Sequence, residues 1–193
     1  MSNALLQLTD LSCEREGRQL FSDLNLSVSE GECVELTGPN GSGKSTLLRC
    51  ICGLFPDFEG TVRSGSLEYL GHRAGIAALL SPLENLRWYQ SMASTDDDLW
   101  QLIEQVGLNG YEQTLCQQLS AGQQRRVALA RLIVGGRPLW LLDEPFTALD
   151  SSGQEMVRSL LRFHLTQGGA ALCATHQPLE LEGTTALRLG QLS

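Results

Sequence analysis

Nine consecutive residues, Gly38-Pro39-Asn40-Gly41-Ser42-Gly43-Lys44-Ser45-Thr46, concentrate groups that could do chemistry. Their spacing is G-x-x-x-x-G-K-S, and what it suits is the holding of phosphate. Glycines let backbone N–H groups turn inward onto anionic oxygens, and the start of a following helix adds partial positive charge. The hydroxyl of Ser45 is placed to reach a magnesium ion beside those phosphates. Lys44 is the only lysine; every other residue among the 14 counted as Lys or Arg is an arginine. An arginine fork suits planar, bidentate partners. A lysine ammonium is a compact point charge that can lie along phosphates inside a tight backbone nest.

Further along, the apolar run Leu139-Trp140-Leu141-Leu142 ends in Asp143 and Glu144. A fully buried parallel strand reads this way. At the carboxyl end of such a strand, Asp143 can hold Mg²⁺ through water beside Ser45, and Glu144 can orient or deprotonate an attacking water. A second anion-binding helix start is written in Leu119-Ser120-Ala121-Gly122-Gln123. Ser120 is a good N-cap and Gly122 permits close backbone approach. An ordinary capped helix would account for Ser120 and leave the Gly and Gln spacing without a reason. One phosphate loop does not need two such ends. The economical expectation is that this one meets the γ-phosphate of a nucleotide held by a partner subunit.

The elements that must position these groups surround them. Cys33-Val34-Glu35-Leu36-Thr37 reads as a strand leading into the loop, and the residues from Thr46 to Cys52 as a helix that Gly53 closes. Residues 3–80 read as short strands around the loop and its helix. From Pro82 to Leu119 the pattern is helical, with Leu99, Leu102, Ile103 and Val106 at helical spacing. Thr95-Asp96-Asp97-Asp98 reads as an N-cap with carboxylates in the first helical turn. After a helix over Gln124–Ile133, strands and helices alternate to Ala186-Leu187-Arg188-Leu189, which implies a parallel α/β core.

Composition excludes several classes. With 193 residues the chain fits one domain with a sizeable core, and a net charge of −8 argues against nucleic acid or anionic lipid as a direct partner. No apolar run has membrane-spanning length, and Met1-Ser2-Asn3-Ala4 lacks the charged and apolar regions of a signal peptide, so none is predicted. The six cysteines form no C-x-x-C pair and no zinc spacing, and read as free thiols of a reducing cytosol. Phe55, Trp88, Tyr89 and Trp100 read as core or interface aromatics.

In this order and spacing the anchors resemble the ATP-binding cassette, the nucleotide-binding subunit of ABC transporters, over nearly the whole chain. Gly38 to Ser45 is similar to the Walker A loop, Leu139 to Asp143 to Walker B, and Glu144 to the catalytic glutamate. Leu119 to Gln123 is similar to the family signature, with Ala121 where LSGGQ has a glycine. Ala148-Leu149-Asp150 resembles the D-loop, and His176, after the apolar Ala170-Ala171-Leu172-Cys173-Ala174, the switch histidine. The resemblance implies an α/β P-loop NTPase fold: a parallel-sheet core, an N-terminal antiparallel β subdomain and a helical insert. It implies one ATPase domain over residues 1–193, with the insert near 82–119. It implies ATP and Mg²⁺ as ligands, and catalysis by Lys44, Glu144 and His176. Two departures accompany it. Arg15 stands where the family has an aromatic residue stacked on adenine, and its guanidinium can stack on a base. His72 stands where the family has a glutamine that touches Mg²⁺ and senses the membrane partner, and reads either as a group that ligates metal or bonds water or as a solvent-exposed loop histidine. Tyr69-Leu70-Gly71-His72, Asn85-Leu86-Arg87-Trp88-Tyr89 and the short body resemble one subgroup, the ATP-binding subunits of haem exporters serving cytochrome c maturation.

That likeness implies a second copy of the chain, or another such ATPase, closing over two ATP molecules. It also implies integral membrane permease subunits docked near Trp88 and Tyr89, at the cytoplasmic face of a bacterial inner membrane, with no lipid anchor. The runner-up is the ATPase of another small exporter or importer. A chromosome-associated or translation-associated relative would need heptad arms, zinc modules, a second cassette or basic linkers, none of which this sequence carries.

Overall fold

The computed structural model describes residues 3–190; Met1 and Ser2, part of the N-terminal stretch read above, lie outside them. Strands β1 (Ala4–Arg15), β2 (Arg18–Ser29) and β4 (Glu59–Ser64) form an antiparallel sheet in the order β2-β1-β4. Strands β3 (Cys33–Thr37), β5 (Leu67–Leu70), β6 (Leu139–Asp143), β7 (Ala170–Ala174) and β8 (Thr185–Arg188) form a second, wholly parallel sheet in the order β5-β6-β7-β3-β8.

The first two strands correct the expectation of short strands: each runs for 12 residues. What permits this is an irregularity. Leu6 and Leu8 point into the core at the strand period of two, and a register shift between Leu8 and Leu11 then lets Leu11 and Cys13 point the same way. Asp10, at φ 49, sits in the shift, and the Asn25 side chain both accepts from its N–H at 3.1 Å and donates to its carboxylate at 3.0 Å. The hairpin closes through Glu16 and Gly17, at φ 54 and 75, the left-handed pair that matches the strands' own twist.

Helix α1 (Lys44–Ile51) lies between the two sheets. Leu47, Leu48, Cys50 and Ile51 pack in one core with Leu6, Leu8 and Leu11 of β1 and with Leu139 and Leu141 of β6. Alternate residues of β6, Trp140 and Leu142, face the opposite side, against α4 (Ala121–Gly135) and α5 (Ser151–Thr166). With both faces covered, β6 and β7 are buried at every residue, which accounts for their unbroken apolar sequence.

A third core joins α2 (Pro82–Ala93), α3 (Leu99–Gln105) and the 3-10 turn Cys116–Gln118 to one side of α4, through Leu86, Ile103, Val127 and Ala130. At the start of α3 the expected cap shifts: Asp98, the third aspartate, is the N-cap, accepting from Trp100 N at 3.0 Å and Gln101 N at 3.2 Å. Asp96 and Asp97 precede the helix, and Thr95 Oγ1 donates to Val134 O at 3.3 Å. A carboxylate two residues before the N–H it serves outcompetes the more distant hydroxyl.

The segment between β5 and α2 is fastened by one buried side chain. Asn85 Oδ1 accepts from Ala77 N at 2.8 Å, and Nδ2 donates to Ala77 O at 3.1 Å and Ser81 O at 3.0 Å. Asn85→Leu keeps the volume and removes these bonds, leaving a buried N–H without a partner. We expect a loss of about 2–4 kcal/mol of stability, measurable by denaturant unfolding. A midpoint unchanged from the parent would show that water takes over the role. All six cysteines are free thiols, and no helix among the described residues is long and apolar enough to cross a membrane.

Candidate functional site

Three neighbouring parallel strands, β6, β7 and β3, end side by side and send their loops to one edge of the sheet. In a parallel sheet this carboxyl edge is where ligands bind. The segments leaving it are the phosphate loop after β3, Asp143-Glu144 at the end of β6 and Thr175-His176 after β7.

The loop residues Gly38 to Lys44 wrap the N-terminus of α1. Gly43 is the N-cap at φ 96, and no side chain caps this helix, so its first N–H groups face outward toward a ligand. Gly38 is needed for closeness: a Cβ there would lie 2.5 Å from Leu189 O. Ser42 Oγ is buried with no hydrogen-bond partner in the protein, a polar atom that an anionic ligand would satisfy. Lys44, 8% exposed, turns its ammonium back onto the loop, donating to Gly38 O at 2.7 Å and Pro39 O at 3.2 Å.

Ser45 Oγ donates to Asp143 Oδ1 at 3.0 Å, so the two groups expected to share a metal meet directly. Tyr69 OH donates to the other carboxylate oxygen at 3.5 Å, and burial pushes its phenol pKa up, keeping the proton in place. Glu144 stands in the left-handed region at φ 51, an unusual place for a residue with a side chain. Its carboxylate lies 3.4 Å from His176 Nε2. The His176 turn is held by Thr175, whose hydroxyl donates to Gln177 O at 2.9 Å and accepts from Gln177 N at 3.0 Å.

What holds Glu144 in its strained position is Arg125 of α4. Only 4% exposed, it spreads its fork over backbone carbonyls: Gly71 O at 2.8 Å, Asp143 O at 3.0 Å and Glu144 O at 2.8 Å. Burial pulls its pKa down to about 10, with the Asp143 carboxylate opposing the shift, so it remains charged at neutral pH. Sequence reasoning missed Arg125, Tyr69 and Thr175. Arg125 and Tyr69 act over many intervening residues, on Gly71 and on Asp143, whereas Thr175 acts locally, two residues from Gln177, beside the histidine that drew attention.

A cavity of about 420 Å³ brings together Asn40 to Thr46, Glu144, His176 and Arg15. It also includes Arg18, which the sequence reading did not single out. Arg15 is half exposed and pairs with Glu16 at 3.4 Å. His72 is exposed on the bend after β5 and does not line this cavity; it adjoins Gly71, whose carbonyl Arg125 holds.

Leu119 to Gln123 also stand apart from the cavity. Ser120 caps α4, accepting from Gln123 N at 3.2 Å, while Gln123 Oε1 accepts from Ser120 N at 2.9 Å. This reciprocal capping box corrects the expectation that an ordinary cap leaves the glutamine unexplained. The helix also begins at Ala121, earlier than Gln124. Gly122 retains its own reason: a Cβ there would lie 2.8 Å from Ala148 O. Next to Ala148, Asp150 caps α5 and pairs with Arg126 of α4 at 3.2 Å. Trp88 is exposed, whereas Tyr89 is anchored by Arg131 over its ring and by its hydroxyl on Gly75 O at 3.0 Å.

The chain matches the ABC transporter family profile over residues 21–147. It is 45% identical to a cytochrome c biogenesis ATP-binding export protein CcmA from Hahella chejuensis, across 98% of this chain and 97% of the relative. Among solved structures it is similar to a metal-chelate type ABC transporter in an inward-facing conformation, with a TM-score of 0.80 at 26% identity over 97% of this chain and 79% of the other. It is likewise similar to a dimeric ATP-binding cassette in a post-hydrolysis state with ADP and Pi, with a TM-score of 0.79 at 26% identity over 89% of this chain and 88% of the other.

Proposed function

The chain belongs to the ABC transporter family, and we propose that it is the ATP-hydrolysing subunit of a membrane export complex serving cytochrome c biogenesis. The observation that carries the ATPase reading is the convergence of the phosphate loop, the Ser45–Asp143 pair and the Glu144–His176 pair on one sheet edge. What supports the cytochrome c reading is likeness over almost the full length to export proteins of that process. We take haem export, or release of a haem-carrying partner, as the work that turnover drives.

The chain's residues divide the task. Lys44 exchanges the carbonyls of Gly38 and Pro39 for phosphate oxygens, and the N–H groups at the start of α1 hold those oxygens from below. Ser45 and Asp143 form an oxygen-only donor pair that fits magnesium, which demands oxygen ligands and keeps phosphate oxygens and water in its shell. Such an ion, when bound, offsets charge on the phosphates. Glu144 aligns a water for attack on the terminal phosphorus and accepts its proton, and His176 steadies the charge that develops. Ser120, Ala121 and Gly122 serve the nucleotide of a second copy in a two-copy assembly closing on ATP, a reading supported by likeness to a dimeric ATP-binding cassette. Trp88 and the exposed Leu79 suit contact with a permease subunit at the cytoplasmic face of an inner membrane.

Lys44→Ala tests the site. It removes the ammonium and two hydrogen bonds from a nearly buried position, and ATP affinity should fall about 10- to 100-fold by equilibrium binding. Affinity equal to that of the parent chain would overturn the phosphate-loop assignment. Partners recovered with the chain from detergent-solubilised membranes test the assembly, and a preparation lacking integral membrane proteins counts against it.

A further inference from the structure

The nucleotide cavity contains a cation that neither the loop nor the strand ends supply. Arg18 opens β2, and it lines the cavity together with Leu20. Residues two apart on a strand share a face. Leu20 packs on the loop, with its Cβ 3.0 Å from where a Cβ of Gly43 would stand. One step earlier on the same face, Arg18 Nη1 lies 3.9 Å from where a Cβ of Gly41 would stand. The strand therefore runs along the phosphate loop, and Arg18 overhangs it at a glycine. The absence of a side chain at Gly41 leaves open the gap between the guanidinium and the loop backbone.

Two further observations bear on what fills that gap. Arg18 stands directly across the hairpin from Arg15, a like-charge pairing that destabilises a sheet when nothing lies between. Glu16 pairs with Arg15, while among the described residues Arg18 has no carboxylate partner. In addition, no Phe, Tyr or Trp lines the cavity. The imidazole there, His176, lies against Glu144, so a base entering the cavity meets no phenyl, phenol or indole face.

We propose that Arg18 contacts the phosphates of the bound nucleotide from the hairpin side, opposite Lys44, so that the triphosphate rather than the base carries recognition. The proposal rests on the nucleotide-site reading above. A guanidinium offers a planar fork to phosphate oxygens, and each such charge-assisted contact is stronger than a neutral one. Without a Phe, Tyr or Trp platform, purine and pyrimidine nucleotides differ little in the stacking surface the site offers them.

The test measures equilibrium binding of radiolabelled ATP to the full chain, with competition by GTP, CTP and inorganic tripolyphosphate. In the parent chain GTP and CTP should compete within about 10-fold of ATP. Arg18→Gln should weaken ATP, GTP, CTP and tripolyphosphate by a similar factor, about 10- to 100-fold, and Arg18→Lys should recover part of that loss. In turnover assays the same change should raise KM with kcat nearly unaltered, because the contact is equally present before and during reaction. Unchanged affinity in Arg18→Gln overturns the contact, as does a loss confined to ATP, which would place Arg18 on the base. Selection of ATP over CTP by more than 100-fold in the parent overturns recognition through the triphosphate. A parent chain that binds no ATP overturns the function assigned to the site, and this proposal with it.

Discussion

Replacing Glu144 by glutamine should lower ATP turnover by about 10²- to 10⁴-fold while leaving ATP affinity within a few-fold of the parent value. Glutamine has the shape of glutamate, accepts hydrogen bonds and cannot take a proton at neutral pH. Nothing in the backbone need move: Glu144 N still donates to Ala174 O at 2.8 Å, and Arg125 still holds the carbonyl of residue 144. What disappears is the carboxylate charge beside His176. Single-turnover phosphate release measured alongside equilibrium ATP binding separates the two quantities. Undiminished release in the assembled complex would remove Glu144 from the role of base, and a parallel loss of binding would mean that it holds substrate instead.

The second large effect is structural in origin. Arg125→Met should destabilise the protein by about 3–5 kcal/mol and abolish turnover even in the fraction that remains folded. A buried ion pair can sometimes be exchanged for apolar residues without loss, because both charges go at once. Here the partners are the backbone carbonyls of Gly71, Asp143 and Glu144, which no substitution deletes. Removing the fork takes this donor from all three, leaves Glu144 O only its bond from Thr147 N at 3.2 Å, and loosens a glutamate held at φ 51. Arg125→Lys keeps the charge but has no planar fork to span the three carbonyls. It should recover part of the stability and little of the turnover. Denaturant unfolding and phosphate release report the two effects independently. A lysine variant with full turnover would show that charge alone suffices.

How much of this was legible in the sequence depended on range. The phosphate loop packs its chemistry into contiguous residues, so spacing alone identified it, and the apolar run before Asp143 marked a strand buried on both faces. The parallel core followed from the alternation of helices and strands. Arg125 was not legible: it reads as one more arginine on a helix, and its worth lies in reaching a carbonyl 54 residues away. Arg18 was hidden for a related reason, since only the packing of β2 along the loop places it over Gly41. Two other misses had readable signals. Ser120 and Gln123 carry the spacing of a capping box, and Asp98 stands immediately before the first apolar residue of α3, the usual place for a cap. The long strands β1 and β2 were obscured because the register shift at Asp10 breaks the alternation by which a strand is recognised.

Helix α4 connects two places that chemistry keeps separate. Its first turn bears Gly122, pressed against Ala148 O; one turn later Arg125 grips the carbonyls on which Glu144 depends. Between them lies less than one turn of regular helix, too short to bend. A displacement of the first turn of α4 would therefore reach the backbone that carries Glu144. Through this one stretch of helix, whatever presses on Gly122 and whatever depends on the Glu144 carbonyl share a mechanical link.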